Sequence, residues 1–235
     1  MRLGIMQPYF LPYIGYYSLI KHTDKWIVFD NVQFIRHGWI ERNRILKPVE
    51  GWQYIGVPLH KHSRNTLIKD IKIRSEEDWK NKIFRQLEHY KKAPFFNDVT
   101  DLLMKCFSTD TDNINLLNAH VLKYTCDYLQ VPFNYQIFSE MDLNLKPVTA
   151  PGDWALHISE ALHANEYINP PSGMELFDKH RFVEAGIELK FLKINIQEYP
   201  QKRKTFEPGL SIVDVMMFNS VEQISLMLDN YNFIN

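Results

Sequence analysis

The chain has 235 residues, a hydrophobic share of 45% and an aromatic share of 14%, which supplies enough apolar material for a continuous core and excludes disorder for most of its length. A formal net charge of -1 argues against general affinity for nucleic acid or for anionic membrane surfaces. The charge is uneven, because residues 21–92 hold 16 Lys or Arg against 9 acidic residues, a pattern that fits either a solvated basic face or a pocket for an anion.

Residues 2–6 read as a short buried strand, followed by a proline-rich loop and a helix from Tyr13 to Lys21. A second apolar run, Lys25-Trp26-Ile27-Val28-Phe29, stops at Asp30-Asn31. Strand, turn, helix and strand within about thirty residues predict a βαβ unit with parallel strands. Its ligands then belong at the carboxyl ends of the strands, where Gln7 and Asp30 fall. Residues 39–46 and 52–59 read as strands of a hairpin around Lys47-Pro48-Val49-Glu50-Gly51, and 67–73 as an edge strand. The period then changes. Ser75-Glu76-Glu77-Asp78 has the form of a capping box, and three amphipathic helices follow, marked by Trp79, Ile83, Leu87 and Tyr90, then by Phe95, Val99, Leu102 and Cys106, then by Ile114, Leu117, Val121, Tyr124 and Tyr128. A strand over Phe133–Phe138, a loop over 139–152 and a helix over Asp153–Ala164 lead to Glu166-Tyr167-Ile168. A helix is expected from near Met174, closed by Gly186, then a strand over Ile187–Leu192. Ser211 and Ser220 each have the sequence context of a helix cap, and Asp214 reads as completing the first.

The expected fold is therefore α/β, a mainly parallel sheet flanked by helices, forming one domain over 1–235 with a helical sub-lobe at 75–130. Cys106 and Cys126 fall inside helices without a C-x-x-C spacing and are expected as buried thiols in a reducing cytoplasm. The start, Met1-Arg2-Leu3-Gly4-Ile5-Met6, runs straight into prolines and does not read as a signal peptide. No apolar run nears the ~20 residues needed to cross a bilayer, so no membrane insertion is expected.

Chemistry is expected on the segment from Gln7 to Lys61. Gln7 to Tyr16 leaves a strand and enters a helix, where backbone N–H groups can face an anion, and Tyr9 and Tyr13 can contact a ligand; a rigid aromatic turn is the alternative. Asp30 can act as general base, ribose-hydroxyl acceptor or metal-binding carboxylate, or can simply cap a turn. Gln33, Trp39, Arg42 and Asn43 follow. Arg42 and Arg44 share one strand face, with Asn43 on the other, so the arginines can grip a phosphate or carboxylate or simply sit in a surface charge cluster. His60-Lys61-His62 falls short of a zinc ligand set, so no metal site is assigned, whereas Lys61 can act as a mobile cation. Asn169 and Gly173 offer a second ligand-facing loop. Gln7, Asp30 and Lys61 are the catalytic candidates. The sequence names no cofactor.

Taken together these segments resemble the WbqC-like family, named for a protein associated with bacterial O-antigen gene clusters. The matching runs are Met6 to Tyr16, Phe29 to Phe34, Gly38-Trp39-Ile40, Arg42 to Ile45, Val57-Pro58-Leu59, Tyr90 with Ala93-Pro94, Tyr167 to Pro171 with Gly173, Gly186-Ile187, and Leu210 to Asp214. Where family members begin His-Gln-Pro, this chain has Met6 and so no imidazole at that position. The resemblance implies a cytoplasmic role in bacterial surface-glycan assembly, as a transferase decorating an amino sugar. The helix-opening turn is also similar to the His-x-Gly-His turn of nucleotidyl-transferring enzymes, with Tyr13 and Tyr16 in place of the histidines. The leading expectation is a transferase for an activated anionic small molecule. The alternative is a non-catalytic binding or scaffold module whose partner is a carrier protein or a glycan-assembly enzyme. Single-strand nucleic-acid binding draws on interleaved aromatics and arginines in 26–54, but the near-neutral charge opposes it.

Overall fold

The computed structural model describes residues 1–234. In chain order the elements are β1 (Arg2–Met6), α1 (Ile14–Lys21), β2 (Lys25–Val28), β3 (Arg42–Leu46), β4 (Trp52–Gly56), α2 (Trp79–Leu87), α3 (Phe96–Phe107), α4 (Ile114–Tyr128), β5 (Tyr135–Ile137), α5 (Asp153–Ala161), β6 (Glu166–Asn169), α6 (Lys179–Glu184), β7 (Glu188–Ile194), α7 (Ile212–Phe218), α8 (Val221–Leu228) and β8 (Tyr231–Ile234).

Six strands form one sheet in the order β5-β2-β1-β6-β7-β8. All neighbours run parallel except the antiparallel pair β7 and β8. Alternation along each strand divides the apolar residues between two faces. Trp26, Val28 and Ile168 join a large core with α1, the α2–α4 helices, α7 and α8. Leu3, Ile5, Ile27 and Tyr167 join a smaller core with α5 and α6. The fold is thus α/β, a mainly parallel sheet with helices on both faces, as the sequence predicts. The buried residues of the predicted helical lobe, Ile83, Leu103 and Val121 among them, belong to the same core as α1 rather than to a core of their own. Cys106 and Cys126 are buried and free; burial pushes the Cys106 thiol up to about 12 and the Cys126 thiol up as well. No helix among the described residues is long and apolar enough to cross a membrane.

Several boundaries differ from expectation. Residues 67–73 are not a strand but a 3-10 turn at Ile68–Asp70 with isolated bridges on either side. The buried residues there are Ile68, Ile71 and Ile73, and the 68–71 interval matches three residues per turn rather than two. The Ser75 capping box does not form. Asp78 occupies the N-cap of α2, and its carboxylate takes Asn81 and Arg85 instead of the helix's own N–H groups. The hairpin strands are shorter than predicted, and Pro58, which has no N–H to give, follows the end of the second. The helix expected from Met174 is a 3-10 segment over Pro171–Leu176, and the α-helix starts only at Lys179, capped by Asp178. The Ser211 and Ser220 caps both form, the latter as a full capping box.

Candidate functional site

The crossover through α1 carries the chain from β1 to β2, whereas the chain returns through α5 to β6 on the other side of β1. The connections after β1 and β6 therefore leave in opposite directions, which opens a crevice at the carboxyl ends of these two strands. The loops entering it are residues 7–13 and 170–176.

The first loop is held carbonyl by carbonyl. Tyr16 Oη donates to the Gln7 carbonyl at 2.8 Å, and Asn118 Nδ2 from α4 donates to the Pro8 carbonyl at 2.8 Å. Asn43 Nδ2 donates to the Phe10 carbonyl at 3.0 Å, Ser211 Oγ to that of Leu11 at 2.7 Å, and the Ile212 N–H to that of Pro12 at 2.9 Å. Leu11 sits at a φ of 43°, a conformation an L-residue adopts only when its surroundings impose it. Four separate parts of the chain thus fix one irregular turn. Proline at positions 8 and 12 removes two N–H groups that would otherwise also need partners.

Two chambers open along this loop. The smaller, of about 320 Å³, is walled by Tyr13, Tyr16, Trp39, Asn43, Arg44 and Gly209, the larger, of about 670 Å³, by Gln7, Phe29, Gln33, Trp154, Asn169 and Gly173 among others. Met6, Tyr9, Pro170 and Ser172 line both, so the chambers meet over a ridge at the β1 and β6 ends. Two glycines make room. A Cβ on Gly15 would fall 2.4 Å from the Tyr13 ring, and one on Gly173 would fall 2.3 Å from Asn169 Oδ1. Asn169 Nδ2 donates to Tyr167 Oη at 2.6 Å, which fixes the amide beside the ridge. Burial, helped by the neighbouring Tyr13 phenol, raises the Tyr9 pKa above its ordinary value, and burial does the same for Tyr13. Both phenols therefore stay protonated at neutral pH.

A strap over residues 148–151 closes the far side of the larger chamber. Asp153, almost fully buried, accepts from the Thr149 N–H at 2.8 Å, the Thr149 hydroxyl at 2.7 Å and the Ala150 N–H at 2.9 Å, and pairs with Arg181. The Thr149 hydroxyl and N–H, then Arg181, hold this carboxyl well below the usual carboxylate range.

The structure brings together Gln7, Tyr9, Tyr13, Gln33, Trp39, Asn43, Asn169 and Gly173 of the predicted site residues, and leaves three apart. Asp30 is fully buried, and its oxygens accept from the Ser139 N–H at 3.0 Å, the Ser139 hydroxyl at 2.6 Å and Asn115 Nδ2 at 2.7 Å. It fastens the end of β2 to α4 and to the turn after β5 and lines neither chamber. Arg42 lies over the Tyr54 ring at 4.0 Å and donates to the His37 carbonyl, outside both chambers. Lys61 is exposed on a loop that neither chamber includes. The cation that does line the groove is Arg44, whose guanidinium sits 5.4 Å from the Trp39 ring and 5.1 Å from the Trp52 ring and donates to the Gly209 carbonyl at 3.1 Å. The strand pattern placed both arginines on one face, but which of them meets Gly209 depends on a contact 165 residues away in sequence.

Asp214 also departs from its expected capping role, which falls to Ser211. Fully buried, it accepts from Tyr90 Oη and Tyr199 Oη at 2.6 Å each and from Gln201 Nε2 at 2.9 Å. Burial raises its pKa, against the lowering effect of Tyr199, Tyr90 and Gln201. Tyr90 in turn accepts from the Leu46 N–H at 2.8 Å, so this carboxyl ties α7 to the hairpin that carries Arg44.

An uncharacterized protein of Mycobacterium tuberculosis (strain ATCC 25618 / H37Rv), Rv1507c, is 29% identical to this chain over 227 residues, covering 93% of each. No solved structure matches this chain. The sequence model of the WbqC-like protein family matches residues 7–226, which takes in the switch-point loops, the hairpin, the strap and the Asp214 segment. The chain belongs to the WbqC-like protein family.

Proposed function

We propose that this protein is a transferase of surface-glycan assembly that holds a donor and an acceptor in the two chambers and joins them over the Met6–Tyr9–Pro170–Ser172 ridge. The observation that carries this reading is the shared ridge: two cavities of ligand size, both within or near the usual 300–1,000 Å³ range, meet at the carboxyl ends of β1 and β6. Arg44, flanked by two indoles, offers one guanidinium to an anionic group in the smaller chamber. Trp39, Tyr9 and Tyr13 offer flat faces to a ring. Gln7 and Asn169 supply polar contacts in the larger chamber, and Ser172 supplies one on the ridge itself. The neutral phenols of Tyr9 and Tyr13 can donate to an oxygen that gains charge as a leaving group departs. In this reading catalysis comes from orientation and hydrogen-bond donation.

A second reading, ligand binding without turnover, gains from the lining itself: among the described residues, neither chamber is lined by a carboxylate, an imidazole or a thiol. The two readings separate in one experiment. Thermal unfolding is measured with nucleotides, nucleotide sugars, acyl thioesters and amino sugars, singly and in pairs. A pair that stabilises more than either member and yields a mass-detected product supports the transferase. Stabilisation by one ligand with no product from any pair supports binding alone. If ligand binding is equally tight in Arg44→Ala and Tyr9→Phe proteins, the groove assignment is wrong.

A further inference from the structure

A third cavity, of about 500 Å³, lies beyond the hairpin tip and shares no lining residue with the two chambers. Its floor is apolar, formed by Leu46, Tyr90, Ala93 and Phe218. Its walls are basic. Lys92 faces it from the turn before α3, and Lys202, Arg203 and Lys204 face it from the segment after β7. None of these four cations is ion-paired among the described residues. The one carboxylate in the lining is Glu50, so four positive charges face a single negative one. His89 completes the wall, and burial followed by the nearby Arg203 lowers its pKa, so the excess charge belongs to the lysines and the arginine.

Backbone carbonyls hold two of the four cations. Arg203 reaches the Gly51 carbonyl at 3.4 Å, Lys202 donates to the Lys92 carbonyl across the mouth, and Lys202 holds a φ of 54°. Lys202 and Lys204 are exposed and Arg203 is half-buried, so the three consecutive cations border the mouth of the concavity. Behind them, Gln201 is clamped on the buried Asp214 and on both backbone groups of Glu207, which fixes the start of the basic segment. Like charges gathered over an apolar floor repel one another, and a multiply charged anion relieves that repulsion.

We propose that this cavity is a second, independent ligand site that takes the diphosphate group of a small molecule. Two phosphoryl groups match cations arriving from two sides, and the apolar floor accepts the organic remainder. The site does not depend on the transferase reading. β3 connects the two regions, since Arg44 lines the groove and Leu46, two residues on, lines the basic cavity.

The test is calorimetric titration of the full chain with sodium pyrophosphate at 150 mM salt, with inorganic phosphate and citrate as comparison anions. Saturable 1:1 binding of pyrophosphate, tighter than either comparison anion, is expected. Replacing Lys202, Arg203 and Lys204 together by Ala weakens it by roughly a hundredfold or more, and Lys92→Ala, which leaves the backbone carbonyl that Lys202 uses, weakens it by about tenfold. A charge-matched control with Lys82, Lys105 and Lys193 replaced by Ala binds as the parent does, and so does Arg44→Ala. Equal weakening in the control, loss of binding in Arg44→Ala, preference for citrate, or no saturable heat would each overturn the proposal. Should the triple variant melt early, Lys92→Ala alone decides.

Discussion

Asn118 holds the loop that shapes the groove, although it lines neither chamber. It is fully buried on α4, and its Nδ2 donates at 2.8 Å both to the Pro8 carbonyl and to the Ile40 carbonyl. One amide therefore joins the switch-point loop to the segment leading into the hairpin. Asn118→Ala leaves two buried carbonyls without donors. Each such loss costs about 1–3 kcal/mol, and because water can enter the small space left behind, the total expected is roughly 2–4 kcal/mol. For a chain of this size that is a fall of roughly 5–15 °C in melting temperature. Asn118→Asp is nearly isosteric yet sets an oxygen against both carbonyls, so it should destabilise at least as much as the alanine at neutral pH. Differential scanning calorimetry reads both, and limited proteolysis with a protease that cuts after aromatic residues reports whether Tyr9 and Phe10 become accessible. If Asn118→Ala melts within about 2 °C of the parent, or if Asp is tolerated better than Ala, the loop is not held in the way described.

Three further outcomes follow from the same geometry. Gly15→Ala improves helix propensity but drives a methyl into the Tyr13 ring, so melting temperature should change little while affinity for a smaller-chamber ligand falls, as titration would show. Asp30→Asn should lower the melting temperature by several degrees, because a neutral amide cannot accept from the Ser139 N–H, the Ser139 hydroxyl and Asn115 together, and whatever activity remains per folded molecule should equal the parent's; a folded, fully stable but inactive variant would restore Asp30 as a base. Asp153 has a folded-state pKa below its unfolded value near 4, so its contribution to stability is present above that value and fades as pH falls below it. The melting temperature of Asp153→Asn should accordingly lie below that of the parent at pH 7 and converge toward it as pH is lowered through 4.

Much of the fold was legible because its cause is local and repeated. The βαβ start shows as two apolar runs flanking a helical period, and β1 and β2 pair in parallel as that pattern requires. The capping box at Ser220 forms because both partners lie within one turn. The same motif at Ser75 fails, and the difference is tertiary: the chain from Leu59 to Ile73 is engaged by isolated bridges, and the first helical turn starts only where Trp79 can enter the core. Residues 67–73 misled for a related reason. Isoleucines at 71 and 73 suit a strand, but Ile68 and Ile71 are the ones that a single turn carries into the core together.

The site was legible in place more than in role. A polar residue at the end of a buried strand has two possible employments, to face a ligand or to satisfy the backbone groups that irregular loops leave unpaired, and sequence spacing is the same for both. Asn43 shows the overlap, since it borders the smaller chamber while its amide is committed to Phe10 and its oxygen to the Arg44 N–H. Asp30 falls wholly to the second use. What distinguishes the two is whether distant chain supplies partners: Ser139 and Asn115 reach Asp30 from 109 and 85 residues away. Arg44 shows the converse. Its contacts with Trp39, Trp52 and Gly209 orient the guanidinium without a carboxylate to neutralise it, so its charge stays available to the groove. A positive group held by rings and a carbonyl is the better anchor for an anionic ligand than one already matched by an acid. The proposed anion contact therefore falls to Arg44 rather than to Arg42, its nearest neighbour on the same strand face.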